Sequence, residues 1–334
     1  MNRALWLLGA GLVMVIAIPL VLGGSGLGGQ LRQFPLDTFL LMLGMIVMCW
    51  NLNAGRLRLL LAGRGGHLGQ RRAVGMVMAT EFAISATPGG SGGPLTLMGL
   101  LSRQGVRPAQ ATAVFAVDQI TDMLFFLSAL ASIGLYALSH TIDLRLGWML
   151  AVPALLLIIG FGLLAALGKH HRRLLKTSGR LLRWLKVRHR SRVKLARSLI
   201  HFRHALVETL ALPRLTLSLI FLLCCAHWLL RYSILYLAVS GLGQDIDWSW
   251  TFIVQMLSLA AGQLTLLPGG AGGAELSSTA LLSPMIGAAS AAAAVVIWRA
   301  VTFYFYLIAG APVFFVMAGR SMLGSLLKRR SATT

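Results

Sequence analysis

Hydrophobic residues run in long blocks along most of this chain, without the alternation of a half-buried strand or the narrow stripe of a soluble amphipathic helix. Blocks near Ala4–Leu22, Leu36–Asn53, Ala109–Leu138, Gly147–Leu167, Leu215–Val239 and Ala288–Val316 reach or approach the roughly 20 residues that carry a helix across a bilayer. They predict six full spans in an all-α polytopic membrane protein. Two further apolar stretches are broken in the middle. Ala73–Thr87 meets "PGGSGG" at Pro88–Gly93 and resumes over Pro94–Leu101. Trp250–Leu267 meets "PGGAGG" at Pro268–Gly273 and resumes over Ala274–Ile286. Proline and paired glycines interrupt helices. Each stretch therefore predicts two short helices around a turn, the first over residues 73–103 and the second over 250–286. Their turns are Pro88, Gly89, Gly90, Gly92 and Gly93, and Pro268, Gly269, Gly270, Gly272 and Gly273.

The polar positions orient these segments. Arg56, Arg58, Arg64, Arg71 and Arg72 follow the second block, Arg103 and Arg107 follow the first broken stretch, and Lys328, Arg329 and Arg330 close the chain. The intervening loops are poor in bases: Gly23–Pro35 and Ser139–Leu146 have one Arg each, and Gly241–Ser249 has none. Lysine and arginine collect in cytoplasmic loops. All basic loops share that side, with both termini, only if each broken stretch enters and leaves by one face. The broken stretches then read as re-entrant hairpins. Buried at that depth, irregular backbone needs protein or a wet cavity around it, and cysteine probes at Ser91 and Ala271 are expected to be reachable.

An internal repeat links the two breaks. A shift of 180 residues lays Pro88, Gly89, Gly90, Gly92 and Gly93 on Pro268, Gly269, Gly270, Gly272 and Gly273, and Phe125 and Phe126 on Phe305 and Tyr306. The halves run from 36 to 138 and from 215 to 316 within a single transmembrane domain of residues 1–334. An odd number of spans between the hairpins turns the second half upside down, the inverted repeat of many secondary transporters.

Composition supports the membrane reading and limits the partners. Hydrophobic residues make up 57% and charged residues 12% of the chain, with a formal charge of +21. Thirteen bases and no acid lie between Lys169 and Arg203. Beside membrane spans, this basic segment (169–204) predicts an interfacial helix resting on anionic lipid, and not a nucleic-acid site. Met1–Gly24 resembles a secretory signal but lacks a clear cleavage site, and reads as a retained first span. Cys49, Cys224 and Cys225 sit in apolar runs and predict neither disulfide nor metal site.

Ionisable residues inside spans are costly and mark function by default. Glu81, Asp118, Asp122, Arg231, Glu275 and Arg299 are the candidates for substrate contact, with His227 on the face of Arg231. Asp118 and Asp122 stand one helical turn apart, and pairing of either with Arg299 is the natural structural alternative. Ser85, Ser91, Ser277 and Ser278 lie near the breaks with no histidine beside them in sequence, and no phosphate loop occurs. No catalytic residue, cofactor or metal is expected.

"LPGGAGGAE" at Leu267–Glu275 and "WRAVTFYFYLIAGAP" at Trp298–Pro312 resemble the lysylphosphatidylglycerol synthase transmembrane-region family, whose members are flippase-like membrane proteins. Pro268, Gly269, Gly270, Gly272, Glu275, Arg299 and Thr302 match its second half, and Pro88, Gly89, Gly90, Gly92, Asp118 and Asp122 its first. Ala274 and the neighbourhood of Gln119 depart from it, lacking the bases usual there. No aminoacyl-transfer domain follows Arg330, so lipid synthesis is not implied; movement of a lipid between leaflets is. The expected partners are membrane lipids, a lipid substrate and, as a further option, a second copy of the chain. Two other functions fit the same pattern: a secondary transporter of a soluble ion or metabolite, and a non-transporting partner of envelope-lipid enzymes.

Overall fold

The computed structural model describes residues 17–64, 66–139 and 204–317, with a few isolated positions elsewhere. The basic segment 169–204 and the span expected over Gly147–Leu167 lie almost wholly outside the described residues, as does most of Ala4–Leu22. The described elements are helical, apart from one isolated bridge. They are α1 (Leu27–Gln33), α2 (Leu36–Leu61), α3 (Gln70–Ala86), α4 (Gly92–Arg103), α5 (Pro108–Ser139), α6 (Arg214–Ser240), α7 (Trp248–Leu264), α8 (Gly273–Ile286) and α9 (Ala288–Arg299). α9 passes through a π-helical turn at Ala300–Tyr304 and continues as a helix to Met317.

Four of these helices are long and apolar enough to cross a membrane: Leu36–Leu61, Pro108–Leu135, Arg214–Ser240 and Ala288–Met317. At 1.5 Å per residue the 26 residues of α2 extend about 39 Å, beyond the roughly 30 Å of bilayer hydrocarbon. α2 carries Asp37 in its first turn, where an acid suits the helix dipole, and stops where Ala62 and Gly63 turn to positive φ. Proline opens α5 at its first position, where a missing N–H costs nothing. Large side chains on the spans point outward, among them Leu36, Leu40, Leu41, Leu215, Leu222, Ile308 and Phe315. That surface suits lipid and would be costly in water.

The broken stretches form helix–turn–helix hairpins. α3 and α4 have 17 and 12 residues, and α7 and α8 have 17 and 14. At most about 26 Å long, each falls short of a crossing. α3 ends because Thr87 precedes proline and is extended, φ −122° and ψ 146°.

The described chain divides into two compact units. One comprises Met1–Gly55, Leu68–Leu100 and Cys225–Thr334; the other comprises Arg56–His67 and Leu101–Cys224. Within the first, close packing relies on missing side chains. A Cβ on Gly310 would lie 3.0 Å from the Met78 carbonyl of α3, and one on Gly23 would lie 2.7 Å from Ala292 of α9. Leu27 of α1 packs with Ala292 and Ala293. Small residues that bring backbones together are the usual contacts between helices in lipid, where apolar burial drives little. Within the second unit, Arg64 donates to the Thr209 hydroxyl at 2.7 Å, tying the turn after α2 to the helical segment 204–210 before α6.

Candidate functional site

The two glycine turns share one backbone. Gly89 and Gly90 have φ of 58° and 68°, and Gly269 and Gly270 have 61° and 68°. Gly90 N–H donates to Thr87 at 3.1 Å, as Gly270 N–H does to Leu267 at 3.0 Å. Ser91 N–H donates to Pro88 at 3.3 Å, as Ala271 N–H does to Pro268 at 3.2 Å. Left-handed φ at consecutive residues selects glycine. The helical glycines are required for another reason, namely space: a Cβ on Gly92 or Gly273 would lie 2.9 or 2.8 Å from the carbonyl of Ala83 or Ala261.

The turns also meet. Pro88 and Pro268, the residues that the 180-residue shift superimposes, face each other in an antiparallel bridge. Neither proline has an N–H, so the bonds of such a bridge fall to the residues on either side.

The turns differ in how their helix starts are satisfied. The first amides of a helix lack partners within it. Gly92 N–H donates to the Thr87 hydroxyl at 2.8 Å. Its counterpart Gly272 N–H donates to Glu275 Oε2 at 2.6 Å. Glu275 is fully buried, and its other oxygen lies 2.5 Å from Arg299 Nε. The N–H is not aligned on that oxygen, so this is a charge contact rather than a linear hydrogen bond. Arg299 is 3% exposed and reaches on to the turn, donating from Nη2 to the Gly269 carbonyl at 2.8 Å. A cap, an ion pair and a carbonyl contact thus close one ring around the second turn. Phe303, from the π-turn after Arg299, covers the ring from outside and buries Ala271.

Arg231 lies in the same unit but has different company. It donates to the Tyr306 hydroxyl and lies over the Tyr306 and Trp228 rings, 4.8 and 5.9 Å from their centroids. Trp50 of α2 stacks on Phe305 at 5.3 Å and meets Tyr306 edge-on at 5.5 Å. The Glu81 carboxylate of α3 acts on Arg231 through space, as does the Arg299 guanidinium. His227, one turn before Arg231, is 3% exposed and lies 3.5 Å from the Asn53 amide.

The second unit holds a separate cluster. Arg56, 3% exposed, donates from Nε to Asp118 Oδ1 at 2.5 Å and from Nη1 to Asp122 Oδ1 at 2.8 Å. Cys224 donates to the same Asp122 oxygen at 3.3 Å. One guanidinium fork thus spans two carboxylates on successive turns of α5, a geometry that a lysine could not match.

Against the sequence expectations, Asp118 and Asp122 do share a face. Their partner is Arg56 and not Arg299, because Glu275 already neutralises Arg299. The sequence places Arg56 among the loop charges, but α2 runs past it to Leu61 and buries it. The apolar run "LLLA" after Arg58 is the signal that the helix continues. Tyr306, Trp50 and Thr87 are neighbours of these groups that the sequence does not single out. The turn accessibilities also differ from expectation: Ser91 is exposed but Ala271 is fully buried behind Phe303.

Apolar spanning helices, short hairpins with glycine turns, and ions buried inside the spans define an integral membrane protein. The chain belongs to the family of the lysylphosphatidylglycerol synthase transmembrane region, whose model matches residues 6–310. It is similar to a UPF0104 membrane protein of Archaeoglobus fulgidus, 22% identical over 271 residues that cover 79% of this chain and 82% of the relative.

Proposed function

We propose that the protein moves a polar-headed phospho- or glycolipid between leaflets, as a transporter and not an enzyme. The observation that carries this reading is the meeting of two glycine turns beside charges inside the spans. Broken helices that converge from two halves of a chain form the substrate sites of many transporters. The antiparallel bridge between Pro88 and Pro268 is locally two-fold, which supports an inverted repeat of 36–138 and 215–316. In this reading the two hairpins are re-entrant within a bundle of six spans. Acyl tails stay in lipid while the head group passes the polar residues Glu81, Asp118, Asp122, Arg231, Glu275 and Arg299. Both termini and the basic segment 169–204 face the cytoplasm of a bacterial-type inner membrane, the latter on anionic lipid.

The test is leaflet exchange. Purified protein is reconstituted into vesicles carrying labelled phospholipids and glycolipids, and the label in the outer leaflet is destroyed chemically. Loss of signal beyond the outer half is expected for at least one head group. No increase over empty vesicles for any head group, with or without an imposed ion gradient, would overturn the reading.

A further inference from the structure

Three arginines lie well inside described spanning helices, and they are not equivalent. Arg56 and Arg299 are each 3% exposed and engage carboxylates. Arg231 is only half-buried, and its hydrogen bond goes to a neutral phenol. A guanidinium has five donors in a fixed planar fork. Tyr306 takes Nη1, one nitrogen of that fork. The side chain as a whole keeps part of its surface exposed, unlike Arg56 and Arg299.

The surroundings pre-set this fork. Contact with the Tyr306 and Trp228 rings restricts the guanidinium plane, so little freedom remains to be lost on binding. Trp50 holds Tyr306 in turn. A planar, fixed guanidinium matches an oxyanion through two parallel N–H···O bonds. At membrane depth the abundant oxyanion is phosphate. Glu81 supplies the balancing charge: it acts on Arg231 through space, from a different helix, and is itself half-buried. Arg299 already has a carboxylate in contact, Glu275, whereas Arg231 has Glu81 acting on it through space.

We propose that Arg231, framed by Tyr306 and Trp228, is a docking site for a phosphate group, and that the arriving anion takes over from Glu81 as its counter-ion. That the phosphate belongs to a lipid head group rests on the transport reading; the site itself does not. Arg299 is set apart from this role by its burial, 3% exposed, against Glu275 and the Gly269 carbonyl.

The experiment titrates the purified full chain with dihexanoylphosphatidylglycerol, with the neutral dihexanoylglycerol and with inorganic phosphate, reading tryptophan fluorescence and thermal stabilisation. The phosphate-bearing lipid is expected to saturate and the neutral one not. Arg231→Gln is expected to weaken binding by about tenfold or more, the scale of a lost charge-assisted hydrogen bond, and Arg231→Lys to recover only part of it, since a point charge cannot form the fork. Glu81→Gln is expected to tighten binding, because the competing anion is gone. A purely structural Arg231 predicts no such gain. Equal titration by the neutral lipid overturns the proposal. So does unchanged affinity in Arg231→Gln or, should that variant not fold, in Glu81→Gln. Inorganic phosphate binding as tightly as the lipid would make the free ion the source, and weaker binding would make it the lipid. Unchanged affinity for the phosphate-bearing lipid in Arg231→Gln, with leaflet exchange intact, would sink this site and leave the transport reading standing. Phosphate binding that depends on Arg231, in a protein that exchanges no lipid, would do the reverse.

Discussion

Replacing Glu275 by alanine removes two things at once from a fully buried place. It takes away the acceptor of the Gly272 N–H, held at 2.6 Å, and the counter-charge 2.5 Å from Arg299. Breaking one side of a buried ion pair costs about 3–5 kcal/mol, because the remaining charge is left uncompensated. Losing a helix cap costs about 1 kcal/mol by itself. Glu275→Gln keeps an oxygen for the Gly272 amide but not the charge, so its cost should be smaller than that of alanine by roughly this cap term. At about 2 °C per kcal/mol, alanine, which loses both, should lower the melting temperature by about 8–12 °C. Glu275→Leu with Arg299→Leu should recover much of the loss, since matched removal of a buried pair is often nearly neutral. The assay is thermal unfolding of purified variants in detergent, arranged as a double-mutant cycle. A melting temperature for Glu275→Ala within 1–2 °C of wild type, roughly what a surface change gives, would refute the ring around the second turn. So would a double variant no better than the worse single one.

Three further outcomes follow from the geometry. Arg56→Leu leaves Asp118 and Asp122 facing each other without their shared base and should destabilise by about 3–5 kcal/mol. Asp122→Asn should cost less, because Arg56 keeps Asp118; equal melting curves for the two variants would contradict the fork. Gly270→Ala places a Cβ 3.0 Å from the Gly262 backbone at φ 68° and should reduce the yield of folded protein, whereas Gly99→Ala, with nothing within 4 Å, should not; yields after size exclusion decide. A membrane-impermeant thiol reagent, applied in detergent to a background without native cysteines, should label Ser91→Cys and not Ala271→Cys, since Ala271 is fully buried.

Much of the scaffold was legible because lipid imposes a simple rule. Leu36–Asn53, Ala109–Leu138, Leu215–Val239 and Ala288–Val316 all fall within helices long enough to cross, give or take a few residues at their ends. The glycine turns were legible for a related reason: "PGG" cannot continue a helix, and its backbone then demands a left-handed path at Gly89, Gly90, Gly269 and Gly270. The ion pairing was not legible. A guanidinium at the end of an apolar block looks the same whether the helix stops or continues, so Arg56 passed for a loop residue. Pairing across repeat-equivalent spans was a reasonable expectation for Arg299, but Glu275 sits at the third position of α8, where its carboxylate reaches back over its own turn. A glycine followed three residues later by Glu is a weak form of the capping-box pattern, and could have signalled this. Tyr306 could not have been found by polarity, since Phe126 occupies the matching place in the first half and only the hydroxyl distinguishes them.

The bridge between Pro88 and Pro268 has a mechanical consequence. A strand edge normally offers further donors, so that a small contact can grow into a ladder. Here both central residues are prolines and each chain turns into a helix a few residues later. The contact can neither lengthen nor slip by one residue, since a slipped register would bring an amide-less residue to a bonding position. Proline thus sets an upper limit on how firmly the two turns grip each other.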